Sequence, residues 1–526
     1  MNPFAKAGQP VSTPHPNAEY HDPAAEIALP EPLPVALPFE AGKGSKEHAT
    51  HGFIEKVLET AGFTDNEVLA IHYGNWLRDY SQLLDPKIVR ATSMPKNFPD
   101  VLSREALTKI VDILAVREFI DLMKIDRSGF MVTEERLGVY RPSEHIDNPK
   151  AVNPSPADPK DRDADFEPWV LSGDPLLDID PDTSMKRYIQ RSANLMSGKL
   201  ESAMKAGVQS TDALRDIGAA LHILEDLFAH SNFAELSLIK AGYADVLPWT
   251  SKAPCKHGLP LVTGTFGGSD VIASLAAPLG KILFSKEQKP FETTKAGELS
   301  ERDQIILILL SEHPNTTLLE AYETFLVARD KWASLPFASQ VEQFYHFINL
   351  PGRLFGSAIG TVMQGLATWL GNSVDDVQTL LGDDPNTSGS TDPSHSQLAK
   401  DHKEHPLHLL AAELARKAVL DVGQAVLSME HGKEGAEHPA IVAARYFTHP
   451  MDSEWQDEIV KRWAMENRDF VQRATRRSDL LDGQKRLQQS AQNAFTTFKS
   501  DSSGFLDTFF EKAADFGKFL NRITGK

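Results

Sequence analysis

Cysteine is almost missing: Cys255 is the only one among 526 residues. One thiol cannot close an intramolecular disulfide, and cysteine zinc ribbons and iron–sulfur clusters need several. Positive charge is also short, with 54 Lys and Arg against 73 Asp and Glu, a net −19. Such a chain is a poor nonspecific binder of polyanions, so no nucleic-acid partner is expected. Long hydrophobic runs are scarce. The longest uncharged one, residues 354–371, is interrupted by Ser357, Thr361, Gln364 and several glycines. It reads as a buried or interfacial helix rather than a membrane span. Residues 1–41 are rich in proline and lack the basic start, apolar core and cleavage site of a secretory signal. They read as a flexible leader. The expected location is the cytoplasm, or export as a secreted effector by machinery that needs no signal peptide. Period-2 alternation is confined to short pieces, and no internal repeat is seen.

Helical periodicity is what the sequence does contain. It predicts helices over residues 52–60, 65–84 (Asp65 as N-cap, Pro86 as stop), 105–125, 184–206, 211–239, 300–311, 317–334, 339–347 and 406–429, and onward from there. Residues 141–182 hold eight prolines and read as a long irregular connection, a form that is functional or disordered in most domains. Residues 262–268 read as a short turn-rich excursion, and 383–396 as a polar linker. The last 66 residues reverse the charge balance, with 13 Lys and Arg against 8 Asp and Glu. There Phe505, Phe509, Phe516 and Leu520 form a helical apolar stripe flanked by lysines and an arginine. The stripe is expected to contact a second copy of the chain or the surface of a membrane.

Histidine is plentiful, with 18 in the chain, most of them in a few clusters. Without cysteine, any transition metal must be held by His, Asp and Glu. The informative segment is residues 214–233, where His222, Asp226 and His230 are spaced i, i+4, i+8. At about 100° per residue the three share one narrow helix face. Leu214, Ile217, Leu221, Leu224 and Phe228 make a separate apolar stripe. A central bundle helix with ligands on its second side fits this pattern, and Glu225 is a neighbouring carboxylate that can orient an imidazole. The alternative is a solvated face carrying an Asp–His pair. Other segments offer further ligands. His72, Asn75 and Asp79 share a helix face, with Gly74 allowing close approach. Glu144, His145 and Asp147 crowd a proline-bounded loop. Residues 392–408 contribute His395, Asp401, His402, His405 and His408. The expected fold is mainly α: a multi-helix bundle with long irregular loops and a metal cluster on a central helix.

Several of these segments together resemble a known family. They are residues 50–55 (Thr-His-Gly-Phe-Ile-Glu), 73–82 around Asn75-Trp-Leu-Arg-Asp79, 137–149 around Ser143-Glu-His-Ile-Asp147, and 220–233 around His222-Ile-Leu-Glu-Asp226 and His230-Ser-Asn. Residues 262–266, 392–396 and 400–402 complete the set. In this order they resemble the heterokaryon-incompatibility protein C family, over about residues 45 to 410. At the place of His72 the family pattern has an aromatic residue. The resemblance implies a zinc metallophospholipase C of the bacterial branch, holding two or three Zn2+ ions and acting on phosphatidylcholine or related phospholipids. Carried over position by position, it implies His51, Asp79, His145, His222, Asp226, His230, His395 and His402 as ligands. Asp79, then Glu144, would be the groups that act on water, with Glu225, Asn75 and Asp401 behind the ligands. The expected organisation is a leader (1–44), a helical metal-dependent catalytic domain (45–430) and a C-terminal helical extension (431–526). A homo-oligomer and peripheral membrane contact are expected as well. The competing expectations are a metal-stabilised helical interaction protein of the incompatibility type, and a zinc phosphatase or nuclease.

Overall fold

The structure is a computed structural model, and it describes residues 49–149, 158–265, 299–334, 384–483 and 485–486. The expected leader, the apolar stretch 354–371, the helix expected at 339–347 and the stripe of Phe505, Phe509, Phe516 and Leu520 lie outside the described residues.

The fold is mainly α, as the periodicity predicts. Among the described residues the one sheet is a pair of two-residue antiparallel strands, Ile179–Asp180 with Met185–Lys186. The helix Thr211–His230 is central: from Ala213 onward every residue but Arg215 and Asp216 is buried. It packs against the helices Asp65–Ser81, Arg187–Ala206 and His408–Glu430. A helix apolar on more than one side is buried by its neighbours all round, so its polar His–Asp face is enclosed too.

Two glycines set the tightest of these contacts. A Cβ on Gly218 would lie 1.9 Å from the Ile71 carbonyl oxygen, and one on Gly74 would lie 2.2 Å from that of Arg215. The central helix and Asp65–Ser81 therefore touch backbone to backbone. That approach brings Asn75 and Asp79 against His222 and Asp226.

Helix ends differ from the sequence expectation where side chains decide them. Thr64, rather than Asp65, caps Asp65–Ser81: its hydroxyl accepts the Glu67 N–H at 3.3 Å, and the Glu67 carboxylate accepts the Thr64 N–H at 2.9 Å. The span expected at 211–239 breaks after His230. Ser231 is extended, the Asn232 N–H donates to the Val262 carbonyl at 3.2 Å, and a new helix starts at Phe233. The span expected at 105–125 splits at buried Phe119.

One large apolar core contains most buried residues and includes Val460, Trp463, Val471 and Ala474 near the chain's end. A second small cluster joins Trp249, Val262, Leu398 and Leu480. It anchors residues 262–265, an extended strap that laces distant segments together. The Gly264 N–H donates to the His230 carbonyl (3.3 Å), its carbonyl accepts from the Asn148 N–H (3.0 Å), and the Thr265 carbonyl accepts from the His395 N–H (3.0 Å). A Cβ on Gly264 would sit 2.4 Å from the His395 Cα, so only glycine lets the strap and that segment meet. No helix among the described residues is long and apolar enough to cross a membrane.

Candidate metal centre

Two groups of buried residues have ligand atoms converging within 4.8 Å of one another: His51, His222 and Asp226, and separately Asp147, His230 and His395. They could hold metal ions. Asp226 stands between them. Its Oδ2 lies 3.1 Å from His222 Nε2 and 3.8 Å from His145 Nδ1. Its Oδ1 lies 3.7 Å from His51 Nε2 and 3.7 Å from His230 Nδ1.

The first group is built almost wholly on helices. His51 opens the helix His51–Glu55, whose N-cap Thr50 accepts the Phe53 N–H. His222 and Asp226 come from the central helix. Asp79, one helix away, puts Oδ1 3.9 Å from His51 Nε2. His145 reaches in from its loop, with Nδ1 2.9 Å from His222 Nε2. The outer nitrogens of two of these imidazoles are engaged. His51 Nδ1 meets the Glu225 carboxylate, and His222 Nδ1 meets Asn75 Oδ1 at 3.0 Å. Hydrogen bonds on Nδ1 leave each Nε2 with a lone pair directed inward.

The second group depends on loops. His230 is the last residue of the central helix, where the strap binds its carbonyl. His395 opens a one-turn helix after Ser394, and its Nδ1 lies 3.6 Å from Asp147 Oδ1. The His230 and His395 ring centres are 4.4 Å apart, and Asp401 Oδ2 lies 3.5 Å from His230 Nε2. His145 and Asp147 face different groups because Ile146 between them takes a left-handed backbone, φ +53°. That conformation is strained for a β-branched residue. Full burial of Ile146 and a 2.6 Å hydrogen bond from Thr263 Oγ1 to its carbonyl hold it there.

The donor set fits a cation. Neither oxygen of Asp226 and neither ring nitrogen of His230 makes a hydrogen bond, nor do Asp79 Oδ2, Asp147 Oδ1 and Asp401 Oδ1. Buried polar atoms are rarely left this way. Lone pairs facing lone pairs in a dry interior repel, and a positive ion between them removes the cost. The electrostatics agree. Burial raises the Asp226 carboxyl, but His222 and His230 beside it outweigh that and hold it well below the usual range. Asp401 is lowered in the same way: burial raises it and His230 overrides. Burial raises Asp79 and Asp147, where the imidazoles compensate less. Burial, helped by His222, keeps His145 well below 6.5 and thus neutral, the form that ligates metal.

Of the residues expected from sequence, His51, Asp79, His145, His222 and Asp226 come together at the first group. His230 and His395 join the second, and Asp401 abuts it. His402 is buried but belongs to neither group; its ring centre is 6.1 Å from that of His405. Glu144 is held by Arg78 Nη1 at 2.5 Å and by Arg141 at 3.3 Å. Glu225 meets His51 Nδ1 and Asn75 meets His222 Nδ1, on the outer sides of those rings. Asp147 is the member that sequence reasoning passed over as a ligand. Its signal was its place two residues after His145 in a proline-bounded loop, but a loop has no fixed period by which to choose among neighbouring acids.

The chain matches the family model described as heterokaryon incompatibility protein Het-C over residues 44–304. No curated protein and no solved structure matches it. The matched span contains His51, Asp79, His145, Asp147, His222, Asp226 and His230, whereas His395 and Asp401 follow it in the chain. Through residues 44–304, which carry the first group entire and two members of the second, the chain belongs to the Het-C family.

Proposed function

We propose that this chain is a zinc-dependent phospholipase C that hydrolyses the glycerol-side phosphodiester of phosphatidylcholine or a related phospholipid. The observation that carries the reading is Asp226, a buried carboxylate without hydrogen bonds that faces imidazoles of both groups. A shared carboxylate of this kind is how bundle folds build multinuclear centres. The resemblance of the ligand segments to the zinc metallophospholipase branch supports the choice of metal and substrate.

Zinc held by His51, His222 and Asp226 and by Asp147, His230 and His395 would supply a Lewis acid for phosphoryl oxygens and would acidify a water near neutral pH. The chain's own residues do the rest. Hydrolysis adds one water across the P–O bond, releasing diacylglycerol and a phosphorylated headgroup. Asp79 Oδ2, buried and without a hydrogen bond, would accept a proton from the attacking water. Burial raises this carboxyl, which suits a group that holds a proton and then returns it to the leaving alkoxide. Glu225 and Asn75 keep the His51 and His222 rings turned inward. Glu144 acts on placement, tying the His145 loop to Arg78 beside Asp79.

The second reading is a metal-stabilised helical interaction protein, favoured by the burial of His51, His222 and Asp226, each at most 1% exposed. A structural site is closed, whereas a catalytic one keeps a position for substrate. Elemental analysis combined with headgroup release from phosphatidylcholine vesicles, before and after chelation, separates the two. Bound zinc with chelator-sensitive release supports the enzyme. Bound zinc without release supports the scaffold, and no bound zinc overturns both.

A further inference from the structure

Behind the first group the layer of buried polar side chains that backs its imidazoles continues to Glu55 and His72, which neither the ligand set nor the proposed chemistry uses. Its centre is Asn75, fully buried. Asn75 Oδ1 faces His222 Nδ1 at 3.0 Å, and its Nδ2 donates to two carboxylates, Glu225 Oε2 at 3.3 Å and Glu55 Oε1 at 3.1 Å. Glu55, also fully buried, uses its other oxygen on His72 Nδ1 at 2.6 Å. The His72 ring packs on Phe119, with centres 5.7 Å apart. An unbroken path thus runs from His72 through Glu55 and Asn75 to His222.

The direction of this path is fixed by donor and acceptor chemistry. A carboxylate only accepts, so two of them on one side of Asn75 force its NH2 group toward them and its oxygen toward His222. An oxygen at that place demands a proton on His222 Nδ1, which leaves the Nε2 lone pair for the centre. Glu225 alone would not settle the amide, because it also serves His51 Nδ1 and sits at the longer distance. Glu55 supplies the shorter bond, and His72 clamps Glu55.

We propose that Glu55, held by His72, is a positioning residue for the metal centre: it locks the Asn75 amide and, through it, the tautomer in which His222 presents Nε2. The inference rests on the metal-binding reading of the first group. Loss of an outer hydrogen-bond partner of a ligand typically costs 10–100-fold in metal affinity. A Gln at position 55 keeps the size and removes the requirement that Asn75 donate.

The test uses the full chain, titrated with Zn2+ and separately with Co2+, whose visible absorption reports ligand geometry. Glu55→Gln should weaken Zn2+ binding by about 10–100-fold and change the Co2+ spectrum, while the thermal midpoint of the chelated protein stays near wild type. His72→Phe, which keeps an aromatic ring against Phe119, should give a smaller change in the same direction, and it serves if Glu55→Gln does not fold. Asn75→Ala combined with Glu55→Gln should bind no more weakly than Asn75→Ala alone, because Glu55 acts through Asn75. Wild-type affinity and spectrum in Glu55→Gln, or additive losses in the double variant, would overturn the proposal. A wild type that binds neither metal would overturn the metal reading and this inference together.

Discussion

Asp226 belongs to the first ligand group and lies 3.7 Å from His230 of the second, but the two groups are made in different ways. The first sits on three helices, and each helical imidazole in it is backed by a further side chain: Glu225 behind His51, Asn75 behind His222. The second is gathered from a helix end, a strained loop and a one-turn helix, tied by the strap 262–265. Its histidines are also the more exposed, His230 at 7% and His395 at 9% against His51 at 1% and His222 at 0%. Rigid elements hold ligands closely, and loops leave room for adjustment and access. On the proposed reading, the first group would retain an ion tightly and the second would face the approaching phosphate.

The hardest break is Asp226→Asn, which removes charge from both groups at once. Metal content after dialysis should fall at both, a loss exceeding the roughly 10–100-fold cost of removing an outer partner. Full wild-type content by elemental analysis would show that the two groups do not share this carboxylate. A more selective break is His395→Ala, which strips the second group and leaves the first intact. One metal ion fewer per chain is expected, with the remaining one as resistant to chelation as in wild type. Loss of all metal would mean that the groups stand or fall together.

The smallest effect concerns protons in the chelated protein. Burial, then the neighbouring His222, holds His145 well below the ordinary 6.5. In the unfolded chain the imidazole takes up a proton near 6.5, while in the folded chain it does not. Its contribution to stability is therefore complete above pH 6.5 and is lost as pH falls toward the folded value, with a slope of at most about 1.4 kcal/mol per pH unit. His449, lowered by burial to about 4, adds a slope of the same sign. That part cancels when wild type is compared with His145→Asn. Denaturant unfolding of the two chelated proteins between pH 7.5 and 5.5 should show the shallower decline in the variant; parallel declines would remove His145 from the buried neutral set.

The central helix was legible because its information is local. The spacing of His222, Asp226 and His230 and the separate stripe from Leu214 to Phe228 follow from helix geometry alone. Gly74 was legible as a point of close approach, although its partner Gly218 was not. The helix break at Ser231 was missed because residues 262–265, some thirty positions later, compete for the backbone there. His51 entered through family resemblance, since one histidine at a helix start has no pattern of its own. Asp147 could not be told from Glu144 by sequence. One turns inward and the other meets Arg78 because of the left-handed Ile146, which a β-branched residue does not advertise.

The sequence by itself determined a cysteine-poor, mainly helical chain whose candidate metal ligands are His, Asp and Glu, with three of them on one helix face. Composition and a period of 3.6 residues suffice for that, because both are properties of neighbours along the chain. Only the tertiary structure decided that the ligands divide into two groups around Asp226, that Asp147 joins the second, and that Glu55 and His72 stand behind the first. Those contacts join residues from 17 to about 250 positions apart. Their pairing is set by which helices can touch at Gly74 and Gly218 and by where the strap at Gly264 draws the loops together.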